Sequence, residues 1–291
     1  MPASQKQTRT FDAAQGLRLT ADCYGDPEAP AVLLFHGGGQ TRHAFGGTAT
    51  ALAHAGWYAV SFDLRGHGDS DWSEAGRYDF ADYASDVVAV ASGFESPVLV
   101  GASLGGIASL RAIADAGSEP NASALVLVDI ATRMERAGTE RIRSFMTSRP
   151  EGFESLEEAA DLIAAYNPHR KRPGNLAGLE KNLRLGADGR YRWHWDLRFM
   201  QIRSLDHALS DVASLDEAAR GLAMPVLLVR GRMSDLLSEE GARHFLDLVP
   251  HAHFRDVSGA GHMIAGDRND LFTEAVTTFL ASEVRRDARA S

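Results

Sequence analysis

Cysteine is nearly absent. Cys23 stands alone among 291 residues, which excludes an intrachain disulfide and a cysteine-held metal cluster. Long hydrophobic runs are missing as well. No uninterrupted apolar stretch approaches the roughly 20 residues of a membrane span, and Met1 to Thr10 lacks the apolar core of a signal peptide. Nor is there an excess of positive charge. Thirty Lys and Arg against 39 Asp and Glu leave a formal charge of −9, which gives a nucleic-acid partner little electrostatic support. The densest basic run, His169-Arg170-Lys171-Arg172, stops at Pro173-Gly174 and reads as a solvated loop. The expectation is a soluble cytoplasmic protein with no membrane span and no nucleic-acid partner. A monomer or a homodimer is expected.

Glycine is what the chain has in excess, 28 residues where an average usage of about 7% would give ~20. Without a repeat, such an excess signals tight turns and close backbone approaches, which concentrate at active sites. Apolar residues make up 44%, enough for a large core. They occur as short runs: Leu17 to Tyr24, Ala31 to Phe35, Tyr58 to Phe62, Pro97 to Val100, Ala124 to Val128, Pro225 to Arg230 and Phe254 to Val257. Helical periodicity fills the gaps at about Thr48 to His54, Phe80 to Ala91, Leu104 to Asp115, Glu239 to Leu248 and Leu271 to Val284. Asp79 is placed to cap the second helix. Continuous apolar strands alternating with helices predict an α/β fold, a mostly parallel doubly wound sheet covered on both faces. From about Arg133 to Gly221 the alternation stops, and this charged, partly helical segment reads as an insertion. The predicted organisation is a core over 1–132, an inserted lid over 133–221 and the rest of the core over 222–291.

The sharpest motif is Gly101-Ala102-Ser103-Leu104-Gly105-Gly106, between a predicted buried strand and a helix. A serine on a strained strand-to-helix turn needs small neighbours two residues away on each side, and Gly101 and Gly105 supply them. A nucleophilic serine needs a base, and the base needs an orienting carboxylate. His262, in Ser258-Gly-Ala-Gly-His262, follows the last predicted strand at the sheet's carboxyl end, where open α/β sheets bind ligands. For the acid, chain order favours Asp235, after the strand ending at Arg230. Asp129, directly after the strand ending at Val128, is its rival. An oxyanion needs two backbone donors. Leu104 N–H is one candidate, and the loop His36-Gly37-Gly38-Gly39-Gln40 offers Gly38, or alternatively Gly39, as the other. No Gly-Lys-Ser/Thr follows that loop, which argues against phosphate binding. His251-Ala-His253 lacks a third ligand, so no metal and no cofactor are expected.

Taken together, these motifs resemble the α/β-hydrolase family in its serine-nucleophile, esterase-like branch. The oxyanion loop at His36 to Gly39, the elbow at Ser103, the acid and then the base follow in the family's order. Asp63-Leu-Arg65-Gly66-His67-Gly68-Asp-Ser70 is similar to a loop such proteins carry, where the arginine and glycines shape the turn. The resemblance covers roughly residues 10 to 130 and 222 to 284. It implies hydrolysis of a small acyl substrate, an ester, thioester or lactone, through an acyl-enzyme. A serine nucleophile argues against the epoxide-hydrolase and haloalkane-dehalogenase branches, which need a carboxylate. Carbon–carbon bond hydrolases and cofactor-free perhydrolases share the triad, although Met263 stands where many of the former carry tryptophan. A non-turnover receptor of the same fold is the contrasting class. In the lid, Trp193 and Trp195 share a face if extended, where they would line an acyl pocket or pack the lid onto the core.

Overall fold

A computed structural model describes residues 6–116, 122–167, 176–200, 212–267 and 269–284. The basic run at 169–172 lies outside the described residues. Eight strands form the main sheet: β1 Gln7–Asp12, β2 Arg18–Tyr24, β3 Ala31–Phe35, β4 Tyr58–Phe62, β5 Val98–Ala102, β6 Ala124–Val128, β9 Val226–Gly231 and β10 His253–Val257. Their order is β1-β2-β4-β3-β5-β6-β9-β10. The pairs β1–β2 and β2–β4 are antiparallel, and every pair from β4 to β10 is parallel. The mostly parallel doubly wound sheet expected from the sequence is therefore present. β1 had no apolar signal because it is an edge strand, exposed along most of its length.

Each central strand splits its side chains between two cores, as a period of two requires. Leu33 and Phe35 pack with Tyr83, Val87 and Leu110 from helices α2 (Phe80–Ala91) and α3 (Leu104–Asp115). Val32 and Leu34 pack the other way, on Ala49 and Leu52 of α1 (Gly46–His54) and on Phe272 and Val276 near the C-terminus. Burial on both faces explains why these strands read as unbroken apolar runs. Asp79 starts α2 with a capping box, its carboxylate and that of Asp82 each accepting from the other's backbone amide.

The segment between β6 and β9 contains α4 (Arg136–Met146), α5 (Leu156–Tyr166), a short antiparallel hairpin of β7 (Leu183–Leu185) and β8 (Tyr191–Trp193), and α6 (Val212–Arg220). The hairpin escaped the sequence pattern because it contributes only Leu183 and Trp193 to a core. The described part of α6 packs against α3 and against α7 (Glu239–Leu248), so this end of the segment joins the helical layer of the sheet.

The turn after β4 is held by charge. Arg65 is fully buried, and its Nε and Nη2 donate to Asp86 of α2 at 2.5 and 2.7 Å, a bidentate pair. Arg65 Nη1 donates to Gln15 and to the Arg77 carbonyl. The arginine thus shapes the turn, as its motif suggested. Removing one partner of a buried pair leaves an uncompensated charge. Arg65→Leu is expected to lower stability by about 3–5 kcal/mol, read from urea melts followed by circular dichroism.

Candidate active site

Ser103 stands between β5 and α3 with φ 46° and ψ −111°, a region that costs a non-glycine residue about 1–3 kcal/mol. The surrounding structure enforces it. A Cβ on Gly101 would strike the Gly105 carbonyl, and one on Gly105 would strike the Phe35 carbonyl. The turn closes only because both residues lack side chains, which is the spacing rule that singled out Ser103.

His262 arrives on the loop after β10, and its Nδ1 lies 2.7 Å from Asp129 Oδ2. The sequence order had favoured Asp235 as its partner, and the geometry corrects that expectation. Asp235 turns outward, partly exposed, and pairs with Arg141 of α4 at 2.7 Å. The reason lies in the turn after β9. Gly231 N–H donates to Asp129 Oδ1 at 2.9 Å, and the Ser234 hydroxyl donates to Asp129 Oδ2. That turn wraps around Asp129 and supplies its donors, leaving Asp235 on the outside. β6 is the direct neighbour of β5, and Ser103 N–H donates to the Val128 carbonyl. The residue after Val128 therefore lies beside the serine. Asp129 is fully buried with φ 50°, an unusual backbone that aspartate tolerates better than most. Gly231 was missed by sequence reasoning. A Cβ there would strike the Gly261 carbonyl, so its absence lets the His262 loop approach.

The glycine loop after β3 has few free polar groups. Gly37 N–H donates to Gln40 Oε1 at 2.9 Å, and Gly39 N–H donates to His67 Nε2 at 3.1 Å. Among the described residues, Gly38 N–H and Leu104 N–H have no partner in the chain. Both residues line the same cavity as Ser103 and His262. Of the two alternatives in this loop, Gly39 has its amide committed and Gly38 does not.

The cavity is about 160 Å³ and sits at the carboxyl end of the sheet. Met134, Ile142, Phe145 and Met146 form one wall, and Phe199 and Met200 part of another. No Asp, Glu, Lys or Arg lies in its lining among the described residues. Trp193 and Trp195 are not in the lining either, which corrects their assignment to substrate. Their rings stack at 4.5 Å with an interplanar angle of 11°, and Phe153 meets Trp193 edge-on at 4.9 Å. They share a face as their spacing suggested, and that face packs into the same core as the sheet residues on this side, beside Phe145 and Phe153.

Three buried histidines surround the glycine loop and use both ring nitrogens on backbone groups. His36 Nδ1–H donates to the Gly37 carbonyl at 2.7 Å, and its Nε2 accepts from Leu64 N–H at 3.0 Å. His67 Nδ1–H donates to the Arg65 carbonyl at 2.9 Å while its Nε2 holds Gly39 N–H. His194 Nδ1 accepts from Gly68 N–H at 2.8 Å, and its Nε2–H faces the Gly39 carbonyl at 3.3 Å. In each ring the amide donor assigns the tautomer. Burial disfavours the charged form and pushes His36 down to about 4 and His67 down to about 3, with His194 also well below its ordinary range.

The family model described as the alpha/beta hydrolase fold matches residues 30–268. The chain belongs to the α/β-hydrolase family. It is 30% identical to a Mycobacterium tuberculosis protein named an esterase, over 85% of this chain and 82% of that one. It is 28% identical to the 3-hydroxybutyrate-oligomer hydrolase of Cupriavidus necator, over 84% of this chain and 87% of that one. Among solved structures, an E-2-(acetamidomethylene)succinate hydrolase superposes with a TM-score of 0.84 at 24% identity, over 96% of this chain and all of that one. The α/β hydrolase is accordingly an enzyme of the hydrolytic class. No helix among its described residues is long and apolar enough to cross a membrane.

The neutral histidines make stability depend on pH. Unfolding returns each ring to an ordinary value near 6.5, so between the folded value and 6.5 the unfolded chain binds more protons. Stability therefore rises with pH across that window and reaches its full value above about 6.5. Each histidine contributes a slope of about 1.4 kcal/mol per pH unit. His67→Gln, which cannot take up the proton, is expected to flatten the slope by that amount between pH 4 and 6, measured by denaturant melts.

Proposed function

We propose that this hydrolase is a serine esterase that cleaves uncharged, apolar carboxylic esters through an acyl-enzyme. The observation that carries the proposal is the 2.7 Å bond between His262 Nδ1 and buried Asp129, made beside a cavity that also contains Ser103. With Nδ1–H donated to the carboxylate, Nε2 is left as the base.

Ser103 Oγ attacks the ester carbonyl while His262 Nε2 takes its proton. The carbonyl oxygen becomes an oxyanion, held by Leu104 N–H and Gly38 N–H. Collapse of the tetrahedral species expels the alkoxide, which leaves as the alcohol with the proton from His262. Water then attacks the acyl-enzyme, giving its proton to His262, and the second tetrahedral species releases the carboxylic acid and restores Ser103. Asp129 orients the imidazole and stabilises the imidazolium in both steps. The segment 133–221 acts as the lid, since Met134, Ile142, Phe145 and Phe199 come from it.

The uncharged lining supports the substrate class. A substituted succinate, the kind of substrate named for the structural neighbour, carries two carboxylates. Among the described residues only an imidazole, a few hydroxyls, one amide side chain and backbone groups would meet them here, and burying a charge without a partner is costly. The four methionines of the lining, Met134, Met146, Met200 and Met263, suit acyl chains of varied shape because the thioether side chain adapts.

Ser103→Ala is expected to lower kcat on an activated neutral ester by about 10⁶. Asp129→Asn should cost about 10⁴, as for a lost orienting acid, whereas Asp235→Asn should stay within a few-fold. Steady-state kinetics on a panel of neutral esters and a succinate half-ester, with fluorophosphonate labelling of Ser103, checks these expectations. Turnover that survives Ser103→Ala, or a larger loss at Asp235 than at Asp129, would overturn the assignment. Labelling without turnover of any ester would point to a binding protein.

A further inference from the structure

We infer that His67 and His194 are positioning residues that, with His36 on the Gly37 carbonyl, fix the successive peptide planes of the glycine loop and so keep Gly38 N–H facing the reacting carbonyl, and that His194 links the lid to this alignment. The inference rests on the serine-esterase reading of the same site.

The loop has no side chain of its own between Gly37 and Gly39, so nothing within those residues fixes its peptide planes. A trans peptide is planar, and its N–H points opposite to the preceding C=O. The direction of Gly38 N–H is therefore set by whatever holds the Gly37 carbonyl. His36 Nδ1–H and Gln40 N–H both donate to that carbonyl, at 2.7 and 3.1 Å. The next peptide plane is set by Gly39 N–H, which His67 Nε2 accepts. The plane after that is held from both sides, by Gln40 N–H on the Gly37 carbonyl and by the Gly39 carbonyl, which His194 Nε2–H faces. Three histidines thus hold three successive planes, and Gly38 N–H is the amide they leave open.

The chain separations show what this arrangement connects. His67 belongs to the turn after β4, 28 residues from Gly39, and His194 to the inserted segment, 155 residues away. His194 also accepts Gly68 N–H, so it spans the glycine loop and the turn that carries His67. The three rings form a row, with centroids 5.2 Å apart for His36 and His67 and 6.0 Å for His67 and His194. Phe199, which lines the cavity, packs on His67 at 4.6 Å. Movement of the lid segment that withdrew His194 would release the Gly39 carbonyl and Gly68 N–H together. Neutral histidine suits this role because one rigid ring offers both a donor and an acceptor.

The test uses pairs of variants in the full-length enzyme. His67→Phe keeps a ring but offers Gly39 N–H no acceptor, whereas the amide oxygen of His67→Gln reaches the Nε2 position. On a neutral activated ester, His67→Phe is expected to lower kcat about 10²-fold, the scale of a lost oxyanion donor, with KM changed less than about threefold. His67→Gln should recover at least a third of the wild-type kcat. A second readout is a trifluoromethyl ketone, to which Ser103 Oγ adds while its proton passes to His262 and the ketone oxygen becomes the oxyanion. Its affinity should fall in His67→Phe by about the same factor as kcat/KM. If His67→Phe does not fold, His194→Asn carries the test. It keeps an acceptor for Gly68 N–H and loses the donor facing Gly39, and a kcat loss of about 10-fold is expected at unchanged KM. Equal losses in His67→Phe and His67→Gln, a loss confined to KM, or ketone affinity unchanged while kcat falls would overturn the inference. Wild-type protein that turns over no ester would instead refute the esterase reading on which it rests.

Discussion

The Asp129 carboxylate is the point on which the site depends. It is fully buried at the end of β6, where an anion persists only if donors surround it. Gly231 N–H, the Ser234 hydroxyl and His262 supply them. These donors come from the last residue of β9 and from the loops after β9 and β10, so one charge draws together the carboxyl ends of three neighbouring strands. Ser103 needs no such recruitment, because β5 pairs directly with β6. The glycines then set the approach distances. Without a Cβ at Gly231 the backbone of Gly261 comes close, and without one at Gly101 and Gly105 the serine turn closes.

Much of this was legible in the sequence, and the reasons differ by residue. Ser103 was readable because its requirement is local, small residues two positions away on each side. His262 was readable because a glycine-rich loop after the last strand reaches the edge where ligands bind. The carboxylate that partners His262 was not readable to the same degree. Asp129 and Asp235 both follow strands and both precede His262 in chain order. What separates them is that β6 lies beside β5 while the turn after β9 wraps around Asp129, and sheet order is not written in a linear pattern. The one local hint was position: Asp129 is the first residue past its strand, and Asp235 lies four past Gly231.

The segment between β6 and β9 shows a different limit. Alternation placed Trp193 and Trp195 on one face correctly, but a large aromatic face serves a core and a cavity equally well by composition. The rings stack on each other and meet Phe153, in a cluster continuous with the core of the sheet. The cavity wall is made instead by methionines and by Phe145 and Phe199, residues with no distinguishing pattern. The absence of Asp, Glu, Lys and Arg from that wall among the described residues is a collective property. It emerges only when residues from β3 to the loop after β10 are brought together, and an overall charge of −9 gives no hint of it.

Histidine accumulates around a loop that itself carries no functional side chain, and the cause is again a need for outside donors and acceptors. A run of glycines lets substrate approach the backbone, but it also gives up most of the restraint that side chains would provide. Order must then come from outside, from groups that hold amide and carbonyl at once. Serine or asparagine could do so, but a buried imidazole adds a rigid plane with its two polar atoms facing apart. His36, His67 and His194 are each used in this way. The arrangement has a cost, because a proton on any acceptor nitrogen would set two donors against each other. Burial holds the three rings neutral at physiological pH, and the same burial makes acid the condition under which the loop would lose its alignment.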